Sequence, residues 1–386
     1  MSDVRRVRAA VVGTGFIGVV HAEAVRRAGG ELVGILGSSP ERALMKARSM
    51  GADRIYSDMD ELLSDPTVDV VHITSPNYLH FPQAMQVIES GKHVICEKPL
   101  AKTSDEGLQL LRAARAAGVI HAVCFNIRFY PLMHQAHEIV NTGNIGDVRF
   151  VTGSYHQDWL MYPTDWNWRL SQEQAGDLRA VADIGSHWLD LTSWIAGVRV
   201  QEVLADLHTF VPVRERPLGE VETFRSAADI AREKVDVGND DAAGILLRYE
   251  NGARGAMTVS QVSAGRKNDL QFEVSGAEAA LAWHSASPDR LWRGERAAVN
   301  HEFLRDPAHL APRAAAISFY PGGHVEGFGE TFRGLFERVY TAITGGDSSV
   351  RDYPTFEAGY EALCVTDAVK SSNATRMWQP IVREDA

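Results

Sequence analysis

Residues 7–18 read VRAAVVGTGFIG: a short apolar run, then Gly13-Thr14-Gly15-Phe16-Ile17-Gly18, after which an amphipathic stretch continues to about Ala28. This is a GxGxxG turn set between a strand and a helix, the context that gives the pattern meaning. Gly13 permits the tight turn. Gly15 lets a pyrophosphate approach the backbone at the helix N-terminus, where free N–H groups and the helix dipole favour an anion. Gly18 lets helix and strand pack closely. Gly13, Gly15, Phe16, Ile17 and Gly18 are therefore candidate dinucleotide-binding residues.

The alternation continues outward from this loop. Leu32–Leu36 reads as a strand and Ser39–Met50 as a helix with Pro40 in its first turn. Val68–Thr74, Lys92–Cys96 and Val119–Cys124 read as strands. Asn77–Ser90 and Ser104–Ala117 read as helices, the second ended by Gly118. Strands alternating with helices predict a doubly wound parallel sheet, a Rossmann fold with ligands at the carboxyl ends of its strands. The tip of the second strand, Gly37-Ser38-Ser39-Pro40-Glu41-Arg42, has no carboxylate for ribose hydroxyls. Ser38, Ser39 and Arg42 suit a 2′-phosphate better, although Glu41 could take the acid's place. The cofactor is read as NAD or NADP, leaning to NADP.

After Cys124 the pattern changes. A helix is expected to about Thr142. Strands are expected at Arg149–Tyr155, Glu202–Thr209, Ala242–Tyr249, Gly255–Ser263, Asp269–Ser275 and Ala279–His284. Consecutive strands with short turns imply an open, largely antiparallel sheet in an α+β domain. Residues 218–234 read as an exposed loop or short helix, residues from about Gly327 to Lys370 as helical, and Trp378–Ala386 as a tail that frays. The expected division is a Rossmann domain over 1–125 and an α+β substrate-binding and oligomerisation domain over 126–386. The last helices are expected to pack back on the first domain.

Composition narrows the function. The chain has 386 residues, 45% hydrophobic and 23% charged, so a sizeable core is available. Its 39 Lys and Arg against 50 Asp and Glu leave a net charge of −11, a poor basis for binding nucleic acid or anionic membrane. No apolar run approaches the ~18–20 residues of a membrane span. The N-terminus enters a strand without a signal-peptide pattern, and three cysteines without CxxC spacing suit neither a disulfide framework nor a cysteine zinc site. A cytoplasmic protein with a small-molecule ligand is expected. All 8 Trp lie after residue 150.

Two motifs carry the chemistry. Glu97-Lys98-Pro99-Leu100 ends the strand HVIC, on the ligand edge of the first domain. The chain has only seven lysines, and an ammonium here could polarise a substrate oxygen. Further on, Asp183-Ile-Gly185-Ser-His187-Trp188-Leu189-Asp190 opens a helix. Asp183 reads as its N-cap, with His187 and Asp190 following on the same face. An Asp four residues from a His can orient the imidazole and raise its basicity, as a general base requires. A capped helix with a core histidine has the same spacing, and a metal site built on Asp183 and His187 is a third, weaker reading; no metal is expected.

With GTGFIG at 13–18, Ser75-Pro76-Asn77-Tyr78-Leu79-His80, EKPL at 97–100 and DIGSH at 183–187, the chain resembles the Gfo/Idh/MocA family of sugar and inositol oxidoreductases over nearly its whole length. The resemblance implies that Lys98, Asp183 and His187 form the catalytic group. It implies that Ser75, Asn77 and His80 lie by the cofactor and Glu97 by the nicotinamide ribose; His80 could equally be a satisfied packing histidine. Arg169 sits where related enzymes contact cofactor or substrate.

The substrate candidates lie mostly in the second domain. Tyr155-His156-Gln157-Asp158-Trp159 and Asp165-Trp166-Asn167-Trp168-Arg169 combine indole faces, which cover sugar C–H surfaces, with hydrogen-bonding groups for hydroxyls. Gln157, Asp158 and Trp166 are named from this cluster, and Arg128 from the run Phe125–Pro131. In Tyr320-Pro-Gly322-Gly323-His324-Val-Glu326-Gly327, the glycines imply a shaped loop presenting His324, and subfamilies acting on glucosides and anhydrosugars carry a similar loop near the sugar.

The leading expectation is an NAD(P)-dependent oxidoreductase acting on a secondary alcohol or ketone of a sugar, glycoside or cyclitol. His187 is its base, Asp183 orients that base, and Lys98 stabilises the alkoxide. A redox-assisted glycosidase that recycles its cofactor, and a non-catalytic NAD(P)-binding regulator, are the alternatives. A homodimer or homotetramer through the second domain's sheet is expected.

Overall fold

The computed structural model describes residues 5–219, 231–345 and 352–385. They fall into two compact units. The first holds the described residues up to Asn126, those from Phe328 to Leu363, and the last ones from Glu384; the second holds Ile127–Gly327 and Cys364–Arg383.

In the first unit β1 (Arg8–Val12), β2 (Glu31–Leu36), β3 (Val70–Ile73), β4 (His93–Cys96) and β5 (His121–Val123) form a parallel sheet in the order β2-β1-β3-β4-β5. The order reverses between β1 and β3, which places a ligand crevice at the carboxyl ends of those two strands. Helices α1 (Phe16–Arg27), α2 (Pro40–Met50), α3 (Met59–Ser64), α4 (His80–Glu89) and α5 (Ser104–Ala117) connect the strands. Short polar caps start three of them. Ser39 accepts from the Arg42 N–H, Asp58 from that of Glu61, and Thr103 from that of Glu106. Helices α2 and α5 end on the left-handed glycines Gly51 and Gly118.

The glycine loop is set by contact distances. Gly13 has φ +104°, and a Cβ there would lie 2.7 Å from Thr74. A Cβ on Gly18 would sit 2.1 Å from the Gly13 carbonyl oxygen. Around Gly15 there is no protein atom within 4 Å of the Cβ position.

The second unit begins with α6 (Pro131–Asn141) and β6 (Val148–His156), followed by the short α7 (Gln172–Ala175), a π-helical turn at Val181–Gly185 and α8 (Ser186–Ala196). Strands β7 (Val200–His208), β8 (Val213–Pro217), β9 (Arg232–Asp236), β10 (Ala242–Tyr249), β11 (Arg254–Ser260), β12 (Asp269–Gly276), β13 (Ala279–His284), β14 (Arg290–Glu295) and β15 (His301–Leu304) then precede the short helix α9 (Pro312–Ala315). Two long helices close the chain, α10 (Phe328–Ile343) in the first unit and α11 (Phe356–Thr375), with β16 (Gln379–Pro380) after them.

The large sheet runs β15-β14-β13-β12-β6-β11-β10-β7-β16, antiparallel throughout except for the β6–β11 pair. This is the expected open, mostly antiparallel sheet. Along β10, Ala243, Ile245, Leu247 and Tyr249 are buried while Gly244 and Leu246 face out, the alternation of a sheet packed on one side.

Some expectations are corrected. Arg232–Lys234 belong to β9, paired with Glu215–Pro217 of β8, rather than to a loop or short helix; residues 220–230 of that stretch lie outside the described residues. A two-stranded ribbon built largely of charged residues has no apolar period to reveal it. The tail does not fray at its start. Gln379 and Pro380 pair with Val203 and Glu202 of β7, and the buried Ile381 donates its N–H to the Gln201 carbonyl. The unpaired edge of β7 supplies those partners. Strands β14 and β15 also went unread, because Arg290–Leu304 is broken by charge. Among the described residues no helix is long and apolar enough to cross a membrane.

Replacing Gly18 by Ala forces a methyl group onto a backbone carbonyl. It should cost roughly 1–3 kcal/mol or more in urea unfolding. Gly15→Ala, which meets no protein atom, should leave the unfolding midpoint nearly unchanged; equal losses in both variants would refute this reading of the loop.

Candidate active site

The first unit supplies a dinucleotide cradle. Helix α1 starts at Gly15–Phe16 with no acidic residue in its first turn, so its N-terminus is open to an anion. At the tip of β2, Ser39 caps α2 while Arg42 Nη1 donates to Ser38 Oγ at 3.1 Å. The three candidates there thus form one exposed cluster. After β3, the Thr74 hydroxyl donates to the Val12 carbonyl and the Ser75 hydroxyl to Gln83 Oε1 at 2.6 Å. Asn77 is buried in the turn that follows.

His80 is held by backbone on both ring nitrogens. Its Nδ1 lies 2.7 Å from the Pro99 carbonyl oxygen and its Nε2 2.8 Å from that of Ser75. The ring is buried and satisfied by backbone, tying the loop after β3 to the loop after β4. Burial pushes its pKa down, against the pull of the two carbonyls. Glu97 is buried and Lys98 half-buried, at the carboxyl end of β4; the Lys98–Pro99 bond is cis. Lys98 is thus anchored where the sheet order directs ligands.

The second unit holds the Asp183–His187 pair. Asp183 does not cap a helix. It lies inside the π-helical turn, where its Oδ1 accepts from Arg169 Nε at 3.1 Å and its Oδ2 from Gln261 Nε2 at 2.8 Å. The helix start is instead capped from a distant loop, with Asp240 accepting the N–H groups of Arg179 at 2.6 Å and Val181 at 2.9 Å. Asp241 beside it pairs with the fully buried Arg179 and Arg214. A π-helical turn is uncommon and is often found at functional sites. His187 follows in α8, buried, with the Tyr155 ring centred 6.4 Å away. Asp190, expected on the same face, instead binds Arg128 through both carboxylate oxygens. Burial pushes the Asp190 carboxyl up while Arg128 pulls it down.

The other candidates divide. Gln157 takes the Trp159 indole N–H at 2.7 Å and donates to Asn268 at 2.8 Å. Trp159 and Trp166 pack partly buried against Leu160, Leu170 and Val237. Arg169 lies over the Trp168 ring at 4.4 Å, so this aromatic–polar stretch is linked to Asp183 through Arg169. Asp158 turns to Lys267 at 2.8 Å and the Gly265 N–H at 3.1 Å. His324 is exposed on a loop wrapped around the buried Arg305–Glu326 pair; Arg305 binds the Tyr320, Pro321 and His324 carbonyls, and Glu326 accepts the Phe319 and Tyr320 N–H groups. Trp188 is wholly buried, its indole donating to the Gln271 carbonyl. Gln261 and Asp240, which hold Asp183 and its turn, carry no local sequence signal, because nothing local marks a residue that acts across a sheet. Among the described residues, the one grouping of His, Cys, Asp and Glu with metal-ligand spacing is His21, Glu97 and Cys124, which includes neither Asp183 nor His187.

Comparison with known proteins agrees with this architecture. Residues 7–125 match the oxidoreductase family with an NAD-binding Rossmann fold, and residues 133–282 match the GFO/IDH/MocA C-terminal domain. The levoglucosan dehydrogenase of Pseudarthrobacter phenanthrenivorans is 30% identical over 348 residues, covering 88% of this chain and 87% of that protein. The chain belongs to the Gfo/Idh/MocA family. The 1,5-anhydro-D-fructose reductase of Ensifer adhaerens is a further relative, 31% identical over 83% of this chain and 89% of its own. A solved levoglucosan dehydrogenase in complex with NADH and L-sorbose superposes with a TM-score of 0.88 at 29% identity, covering 98% of this chain and 100% of that one.

As a Gfo/Idh/MocA protein, the chain is an oxidoreductase with an NAD-binding Rossmann domain. The residues present fit the dinucleotide. The empty space at Gly15, which a Cβ would begin to fill, lies at the uncompensated N-terminus of α1.

Burial raises the Asp240 carboxyl to about 6, against the pull of its two N–H donors and Arg179. An unfolded carboxyl titrates near ~3.9, so the folded form holds its proton to higher pH. That contribution to stability is complete below the unfolded value and is lost as pH rises through about 6. Unfolding free energies should therefore show the difference between wild type and Asp240→Asn shrinking between pH 4.5 and 7, by roughly 2 kcal/mol. A difference that is flat or growing over that range would contradict the assignment.

Proposed function

We propose that this enzyme moves hydride between a nicotinamide and a secondary alcohol or ketone of a sugar, glycoside or cyclitol. The observation that carries the reading is the Asp183 carboxylate, clamped by Arg169 and Gln261 one turn ahead of the buried His187. Two donors fix that carboxylate in place, so it can orient a neighbouring base. In this reading His187 takes the hydroxyl proton on oxidation and returns it on reduction. Lys98 holds the alkoxide charge as it develops. The nicotinamide, when bound, accepts or gives the hydride. The relatives are named for levoglucosan and 1,5-anhydro-D-fructose, which supports a cyclic sugar as substrate. Gln157, Asp158, Trp166, Arg128 and His324 are proposed to line its site, with Gln157 and Trp166 supported by their place in the aromatic stretch next to Arg169.

The cofactor proposal keeps its lean to NADP on the Ser38–Ser39–Arg42 cluster alone, since the solved levoglucosan dehydrogenase holds NADH. Three buried cysteines outside any disulfide support a reducing, cytoplasmic compartment. Phe150 and Leu246, exposed on the large sheet, support a homo-oligomer through that face.

Absorbance at 340 nm should rise when the enzyme meets a cyclic sugar with NAD or NADP. Lys98→Ala and His187→Ala should each lower kcat by roughly 10²–10⁴. Arg42→Ala should raise KM for NADP about tenfold and leave that for NAD unchanged. Release of an aglycone without net NADH would instead mark a redox-assisted glycosidase. Activity confined to non-carbohydrate alcohols would overturn the proposal.

A further inference from the structure

Behind Glu97, in the first unit, lies a buried chain of polar groups that the proposed reaction does not use. The Tyr340 hydroxyl is 2.9 Å from His72 Nε2. His72 Nδ1 is 3.1 Å from His21 Nδ1, and His21 Nε2 is 3.1 Å from Glu97 Oε1. Glu97 Oε2 accepts the Lys98 N–H at 3.1 Å. His21 and His72 are both 0% exposed, and Phe336 lies edge-on to each at 4.9 and 4.6 Å. Phe332 covers His21 from another side.

One arrangement of protons satisfies every link with neutral rings. Ionised Glu97 accepts from both sides, so His21 carries its proton on Nε2 and leaves Nδ1 bare. His72 must then carry its proton on Nδ1, which leaves its Nε2 to accept from Tyr340. Burial supports this state: it pushes His72 well below the ordinary histidine range and holds the Tyr340 proton in place. The three bonds then point the same way, towards Glu97. Aligned bonds in apolar surroundings reinforce one another.

We propose that Tyr340, His72 and His21 are positioning residues, a directed hydrogen-bond chain that fixes Glu97 as an oriented carboxylate beside the Lys98 peptide. This rests on the assignment of Glu97 and Lys98 to the nicotinamide end of the site. The chain acts on dinucleotide binding through Glu97 and touches neither substrate nor cofactor. Its directionality requires His72 to hold the Nδ1–H form, the less common tautomer of a free imidazole. A competing use of the same atoms is a cation held by His21 Nε2, Glu97 Oε1 and Cys124 Sγ, which lie within 4.8 Å of one another. Burial pushes the Cys124 thiol well up, and a proton on His21 Nε2 excludes that cation.

Histidine ring-nitrogen NMR on ¹⁵N-histidine-labelled enzyme, assigned with single-histidine variants, tests the tautomers without any turnover. The expected result is Nε2–H at His21 and Nδ1–H at His72 near neutral pH. Tyr340→Phe should remove the fixed tautomer at His72. It should also raise the NADH dissociation constant, read by fluorescence titration, about three- to tenfold, because Glu97 is no longer held in its binding orientation before the cofactor arrives. His21→Asn serves as a second variant and should weaken NADH binding at least as much. Nε2–H at His72, an imidazolium at either position, or loss of the His21 Nε2–H signal on adding zinc would each overturn the proposal. So would wild-type NADH affinity in Tyr340→Phe. A wild-type enzyme that binds neither NADH nor NADPH would instead sink the cofactor assignment, whatever the tautomers show.

Discussion

Two atoms that cannot overlap organise the first unit. The Gly13 carbonyl oxygen occupies the place where any side chain at position 18 would begin, with only 2.1 Å between it and that Cβ position. Helix α1 is thereby held hard against the end of β1, with its N-terminus at the space beside Gly15. Everything proposed for the dinucleotide depends on that approach. It sets where the phosphates would sit, and it brings His21, one turn after Gly18, under the sheet towards Glu97.

The second unit is organised by buried charge rather than by close backbone. Arg179 and Arg214 share Asp241, and Asp240 caps the turn that presents Asp183. Such pairs are weak evidence of net stability, since desolvation offsets much of their attraction, but removing one partner strands a buried charge at a cost of about 3–5 kcal/mol. Their value is geometric: they hold a π-helical turn in register so that Asp183 meets Arg169 and Gln261. The Arg305–Glu326 pair does the same for the His324 loop, with five backbone groups gathered on two side chains.

Much of this was legible in residue order alone. The parallel sheet followed from the alternation of apolar strands with capped helices, because each signal is local. Ser39, Thr103 and the glycines at 51 and 118 do their work within a few residues of themselves. The open antiparallel sheet followed from strand periodicity, and the motifs at 97–100 and 183–187 were visible as short strings. Asp183 misled because its spacing fits an N-cap, while the capping was done by Asp240, 57 positions away. Strands β8, β9, β14, β15 and β16 were missed because their partners, not their own side chains, make them strands.

Sequence by itself therefore determined the fold class, the glycine cradle and the residue types available for proton and charge chemistry. These rest on interactions between near neighbours in the chain. Only the tertiary structure decided which partner each polar group takes: Asp183 with Arg169 and Gln261, Asp190 with Arg128, His80 with two backbone carbonyls, and His21 with Glu97. The physical reason is burial. A polar group removed from water must find a hydrogen-bond partner wherever the fold brings one, and that partner can stand anywhere in the chain.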